Sequence, residues 1–125
     1  MKFISTPKAP KAIGPYSQAV AINGALYTSG QIALLPNGEF LSGDVKEQAK
    51  QVLKNLNEIL NEAGSSKALV IKTTIFLTNM DDFLEVNKIY EDFFQTHKPA
   101  RSTVEVKSLP KGALIEIEAI AALKN

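Results

Sequence analysis

The constraint that bears most on this chain is the order in which its apolar residues change period. Short strand-like runs come first, then a run at helical spacing, a β-branched run, a second helical run, and two more strand-like runs. Ala19-Val20-Ala21-Ile22 and Ala25-Leu26-Tyr27-Thr28-Ser29 flank Asn23-Gly24, a pair that readily takes the positive backbone angles of a tight hairpin turn. Residues 1–15 carry Pro7, Pro10, Gly14 and Pro15, and read as an edge strand followed by an irregular loop. Gly30, in Ser29-Gly30-Gln31-Ile32, marks a bulge or a close backbone approach. Pro36-Asn37-Gly38 is a further turn.

Asp44 with Glu47 three residues on is a capping-box signature. Behind it Val45, Ala49, Val52, Leu53, Leu56, Ile59, Leu60 and Ala63 fall on one helical face, with Lys46, Lys50, Lys54, Asn57 and Asn61 opposite, and Gly64 ends the helix. Lys67 to Thr78 is β-branched and apolar, a buried strand. Asn79-Met80-Asp81-Asp82 offers caps for a second helix that turns Phe83, Val86, Tyr90, Phe93 and Phe94 inward and cannot continue past Pro99. Thr103–Lys107 and Leu114–Leu123 are the last strands, joined around Leu109-Pro110-Lys111-Gly112. The order ββ(β)αβαββ predicts an α+β fold: one domain over residues 1–125, a mixed β-sheet with two helices packed on one face. The other face of such a sheet is left apolar, a surface that small domains commonly bury by self-association.

Composition narrows the chemistry. The 125 residues contain no cysteine, which excludes disulfides, thiolate catalysis and cysteine-ligated zinc. A single histidine, His97, leaves no His-His metal pair within one chain. It lies just past a helix C-terminus with no acidic neighbour in sequence, and is expected at the surface. The formal net charge of +1 and the dispersed lysines argue against nucleic acid as the partner. No apolar run approaches the ~20 residues of a membrane span, and the N-terminus lacks the apolar segment of a signal peptide. A cytoplasmic protein is expected.

Against that background Arg101, the one arginine, stands out. It sits at the start of a predicted strand, where its charge must be paired or reach water. A guanidinium grips a planar carboxylate through two parallel hydrogen bonds, so a small site for an anionic substrate is one reading. A salt bridge to Glu105 or Glu118 is the other, and the residues alone weigh the two evenly. Strand alternation puts Arg101 and Thr103 on one face, and Glu116 and Glu118 together on a face of the last strand. Asn87 falls on the apolar side of its helix, where a buried amide must find partners, and is expected to hold a neighbouring loop.

Three segments, in order and spacing, match one pattern: Ala12-Ile13-Gly14-Pro15-Tyr16-Ser17-Gln18-Ala19, Thr28-Ser29-Gly30-Gln31-Ile32, and Pro99-Ala100-Arg101-Ser102-Thr103-Val104 with Leu109-Pro110 and Ile115-Glu116-Ile117-Glu118-Ala119-Ile120-Ala121. With Asp82-Phe83, Asn87, Tyr90 and Phe93-Phe94 between them, the chain closely resembles the RidA (YjgF) family of reactive-intermediate deaminases over essentially its whole length. The resemblance implies a chorismate-mutase-like fold and a homotrimer with active sites in clefts between subunits. It also implies hydrolysis of 2-imino or 2-enamino acids, such as 2-aminoacrylate or 2-iminobutanoate, to 2-keto acids and ammonia, without metal or cofactor.

Residue by residue, the resemblance makes Arg101 the clamp on the substrate carboxylate and Glu116 the acid that positions water and relays protons, with Glu118 structural. Tyr16, Ser29, Gly30 and Thr103 match positions lining the cleft. Tyr16 either hydrogen-bonds water or substrate or simply packs in its proline-rich loop. Thr103 is a departure, since many deaminase members have cysteine there, and the change bears on substrate preference more than on activity. A non-catalytic module sensing small carboxylates would use Arg101 equally well. An endoribonuclease or translation inhibitor fits less well with the near-neutral charge and the single histidine.

Overall fold

A computed structural model describes all 125 residues. In chain order the elements are β1 (Lys2–Ile4), β2 (Ala19–Ile22), β3 (Ala25–Thr28), α1 (Val45–Glu62), β4 (Val70–Leu77), α2 (Phe83–Phe94), β5 (Ala100–Glu105) and β6 (Ile115–Ala122). The strands form one mixed sheet in the order β1-β2-β3-β6-β4-β5. Only β4 and β5 run parallel, as a strand–helix–strand crossover through α2 requires. The last strand enters the middle of the sheet, between β3 and β4.

Both helices cover one face. Ile115, Ile117, Ala119 and Ala121 of β6 lie in the same core as Ile75 and Leu77 of β4, and Val52, Leu56, Ile59 and Leu60 of α1. The hairpin turn forms as expected, with Asn23 and Gly24 at φ of 51° and 78°. Asp44 caps α1 by accepting the Glu47 N–H at 2.9 Å. Gly64, at φ +80°, follows the C-cap Ala63.

Three boundaries differ from the sequence reading. Residues 67–69 form a 3₁₀ turn, so β4 begins at Val70 rather than Lys67. β5 begins at Ala100, before Thr103, because its parallel ladder with β4 runs from Lys72↔Ala100 to Leu77↔Glu105. Arg101 is therefore the second residue of the strand. α2 stops at Phe94, where Gln95 turns to φ 56° and ψ −117°; the chain has left the helix before Pro99 is reached.

The uncovered face is apolar only in part. One cross-strand row is Phe3, Val20, Tyr27, Ile120 and Lys72, and another is Val104, Phe76 and Glu116. Between them lie Ser102, Thr74 and Glu118. Phe3 is 67% and Tyr27 48% exposed, large aromatic surfaces left to water by a single copy.

A long loop, residues 31–41, crosses from the sheet to α1 and is pinned from beneath. Asn55, fully buried on α1, donates to the carbonyls of Leu34 (2.8 Å) and Ile32 (3.3 Å) and accepts from Gln51 Nε2 at 2.9 Å. Asn55→Ala would leave those loop carbonyls unpaired in a buried setting. It is expected to cost about 2 kcal/mol of unfolding free energy, measured as a lower urea midpoint with unchanged slope.

Candidate active site

The site residues fall into two groups on opposite faces of the sheet. In the ladders Arg101 pairs with Thr73 and Glu116 with Phe76, three positions apart on β4. Side chains alternate along a strand, so an odd separation puts the two on opposite sides. They are also not on neighbouring strands, since β4 lies between β5 and β6. Arg101 and Thr103 look toward α2; Glu116 and Glu118 look out from the uncovered face.

On the α2 side the guanidinium is fixed in orientation. Arg101 Nη1 donates to Asn87 Oδ1 at 2.7 Å. The guanidinium carbon lies 5.4 Å from the Phe83 ring centre and 4.9 Å from that of Tyr90, both within cation–π range. Tyr90 is itself held, its hydroxyl 2.7 Å from Thr73 Oγ1. Burial pushes the Tyr90 phenol up, against smaller downward pulls from the Thr73 hydrogen bond and the Arg101 charge, so it stays neutral beside the cation. Neither carboxylate weighed as a salt-bridge partner takes this role. Glu105 Oε1 accepts from the Met80 N–H at 2.8 Å, and Glu118 projects from the other face.

Arg101 and Thr103 line a cleft of about 610 Å³ with Met80, Phe83, Leu84 and the exposed Asp81. Thr103 Oγ1 is buried there without a hydrogen-bond partner in the chain. Asn87, expected to hold a loop, instead holds the arginine. His97, expected at the surface, is half-buried: its Nε2 sits 2.7 Å from the Val70 carbonyl, a contact that makes Nε2–H the donor, and its ring lies 6.1 Å from that of Phe94.

The second group is assembled by a bulge. Tyr27 pairs with Ile120 and Gln31 with Ile117, four steps on one strand against three on the other. The extra residue falls at Ser29-Gly30. Within it Thr28 Oγ1, not a carbonyl, receives the Ala119 N–H at 2.9 Å. Gly30 then passes directly under Glu116: a Cβ on Gly30 would collide with the Glu116 carboxylate. The glycine is needed for space, since its φ is not in the left-handed region.

Ser29 does not point a free O–H into the cleft. Its hydroxyl donates to the Ser17 carbonyl at 2.6 Å and its N–H to the Gln18 carbonyl at 2.9 Å, fixing the segment that carries Tyr16. Gln18, 3% exposed, ties the same segment to the proline loop through the Thr6 N–H (2.7 Å) and the Pro10 carbonyl (2.8 Å). The result is a cleft of about 560 Å³ that brings Tyr16, Ser29, Gly30 and Glu116 together. Tyr16 is exposed on its rim.

Glu116 is half-buried, and burial raises its pKa, with the charge of Glu118 on the same strand face adding to the rise. Its protonated form thus persists to higher pH than an ordinary glutamate's, which suits a group that must both take and return a proton. Nowhere do three His, Cys, Asp or Glu side chains gather to hold a metal ion.

The family model described as endoribonuclease L-PSP matches residues 6–123. The chain belongs to that family. It is the RidA (YjgF) family that the sequence motifs resemble. Among RidA relatives, the human protein named 2-iminobutanoate/2-iminopropanoate deaminase is 52% identical over 121 residues, 96% of this chain and 88% of its own. A Lactococcus lactis protein provisionally named as a regulator, AldR, is 54% identical over 126 residues, the whole of both chains. The crystal structure of Escherichia coli TdcF with bound serine, 44% identical, superposes with a TM-score of 0.94 over 99% of this chain and 100% of that one. The mixed sheet with two helices on one face is thus the RidA fold.

Sequence reasoning missed the aromatic bracket of Arg101, because Phe83 and Tyr90 read simply as core positions. Gly30→Ala separates space from stability. The obstructing atoms are the far end of a flexible side chain, so the fold should survive while Glu116 is displaced. The melting temperature is expected to stay within a few degrees of wild type and keto-acid production from imines to fall at least tenfold, measured by calorimetry and a coupled assay.

Proposed function

We propose that this protein hydrolyses 2-imino acids, or their 2-enamino tautomers, to 2-keto acids and ammonia, at sites formed between copies of the chain in a homotrimer. The observation that carries the proposal is the split site. An oriented arginine sits on one face, in a cleft whose one carboxylate is the exposed Asp81, and a half-buried, proton-exchanging carboxylate sits on the other, in a cleft with no guanidinium. One copy cannot bring Arg101 and Glu116 to one substrate, because the sheet lies between them. Two copies can, and the exposed aromatic rows of the uncovered face give them a surface to associate through.

In this reading Arg101 keeps one edge on Asn87 and offers another to the substrate carboxylate. That holds the imine carbon at the neighbouring copy's Glu116. The carboxylate accepts a hydrogen bond from a water, whose oxygen adds to C2 as the C=N π electrons move to nitrogen. Glu116 takes the proton that the water loses and passes it to the nitrogen. Glu116 then takes the hydroxyl proton of the tetrahedral carbinolamine and delivers it to the amino nitrogen, C=O forms as the C–N bond breaks, and ammonia leaves with that bond's electron pair. For an enamine the added step is protonation at C3. Such an imine is already electrophilic, so orientation and one proton relay account for the catalysis asked of a chain with no cysteine. Tyr16 closes the cleft rim, and Ser29 and Gly30 set the position of Glu116. Thr103 lines the carboxylate side.

The name of the human relative supports the deaminase reading. The regulator name of AldR supports a second one, in which the same clefts bind a small carboxylate without turning it over. Endoribonuclease action fits poorly, since the only histidine is spent on the Val70 carbonyl and the formal net charge is +1.

A serine/threonine dehydratase supplies the test by releasing the imine in the presence of the purified protein. Keto acid is expected to appear faster than by spontaneous hydrolysis. The gain should fall by at least about a hundredfold in Arg101→Ala, with little recovered in Arg101→Lys, because a point charge lacks the planar fork. Binding of 2-oxobutanoate with no acceleration would select the regulatory reading.

A further inference from the structure

The Glu116 cleft is larger and more positive than a four-carbon monoanion needs. Its volume, about 560 Å³, lies in the range of pockets that hold drug-sized ligands. Its walls include Ile13, Ile32, Leu34 and Pro110, an apolar part of the same lining as Glu116. Two cations, Lys11 from the N-terminal loop and Lys111 from the turn before β6, stand at its edges. Glu116 is raised by burial and by Glu118, which is how a carboxyl behaves with no ammonium beside it. The lysine charges are therefore not spent on Glu116.

Lys111 carries a second signal. It lies at φ 58° and ψ 22°, in the left-handed region that costs a side-chain-bearing residue energy and that glycine takes freely. The turn imposes the conformation, through Gly112 N–H to Leu109 O at 3.2 Å and Ala113 N–H to Pro110 O at 3.1 Å. A glycine would relax there. A lysine instead adds a cation to the residues that line the cleft.

Charge counting points the same way. Within the Glu116 cleft two lysines stand against one carboxylate, Glu116 itself, and the first substrate carboxylate is held by Arg101 of the neighbouring copy. A substrate with one carboxylate leaves the lysines without a counter-charge, whereas one with a second carboxylate supplies it. We propose that the cleft takes 2-imino acids whose side chain ends in an anionic group, with the chain methylenes on the apolar wall and the terminal carboxylate between Lys11 and Lys111. The inference rests on the reading of Arg101 as the clamp for the first carboxylate. It adds a specificity subsite to that reading.

Stable keto acids test it without turnover. The probes are 2-oxoglutarate, a dianion, and 2-oxobutanoate, a monoanion, titrated calorimetrically into the intact oligomer. Wild type should bind 2-oxoglutarate about tenfold more tightly, the scale of two partly exposed ion pairs, and the preference should shrink as salt is added. Lys111→Gly relieves the backbone and removes the charge, so it should keep or raise the melting temperature while lowering 2-oxoglutarate affinity several-fold. Lys11→Met should act in the same direction. In both variants 2-oxobutanoate affinity should stay within about twofold of wild type. If 2-oxobutanoate binds wild type and 2-oxoglutarate binds no tighter, the subsite is overturned and the deaminase reading stands. Equal losses for both probes in Lys111→Gly would also overturn it. If neither probe binds, the subsite is overturned, and the deaminase reading stands or falls on the turnover assay alone.

Discussion

Side-chain alternation across one central strand is the constraint on which the rest of this molecule depends. β4 separates β5 from β6, and the odd interval between Thr73 and Phe76 sends Arg101 to the helix side and Glu116 to the uncovered side. No rotamer change crosses a sheet. Each face therefore carries one of the two groups that the proposed reaction needs. The helix side holds a cation in place with an amide and two aromatic rings. The uncovered side holds a carboxylate over a glycine, in a setting dry enough to raise its pKa. On the proposed reading, association of copies would join the function to the burial of Phe3, Tyr27 and their row, which one copy leaves exposed.

Backbone irregularity does the fine positioning. One extra residue at Ser29-Gly30 breaks the ladder between β3 and β6, opens room for Glu116, and turns Ser29 back onto the Tyr16 segment. Gln18 anchors that segment from inside. Ser29 is short and has few rotamers to lose on ordering, while the longer Gln18 offsets its larger loss with hydrogen bonds to the backbone of Thr6 and Pro10. They also explain why the cleft is shaped before any ligand arrives, the condition for a reaction driven by orientation.

Much of this was legible in the chain. Asn23-Gly24, the Asp44 cap and the apolar face behind it specify their elements locally, so hairpin and helix appear where local chemistry puts them. Residues set by partners distant in sequence were not legible. The start of β5 follows its ladder with β4, which no local pattern encodes. The end of α2 is a strained Gln95, a residue type that announces no turn. Asn87 and His97 carried no local sign of Arg101 or of the Val70 carbonyl. Alternation did place Thr103 beside Arg101 and Glu118 beside Glu116. The separation of the two pairs came only from β6 entering the sheet beyond β4.

Subunit mixing addresses that separation directly. Arg101→Ala and Glu116→Gln proteins, each inactive alone, are unfolded together, refolded as mixed oligomers, and assayed for keto-acid release from an imine. If Arg101 and Glu116 serve one substrate from different copies, random mixing of equal amounts restores about a quarter of the wild-type activity, because that fraction of clefts receives an intact residue from each side. If the mixture is as inactive as its components, while mixed oligomers are shown to form, the two residues do not meet across copies, and the account of a site split by the sheet is wrong.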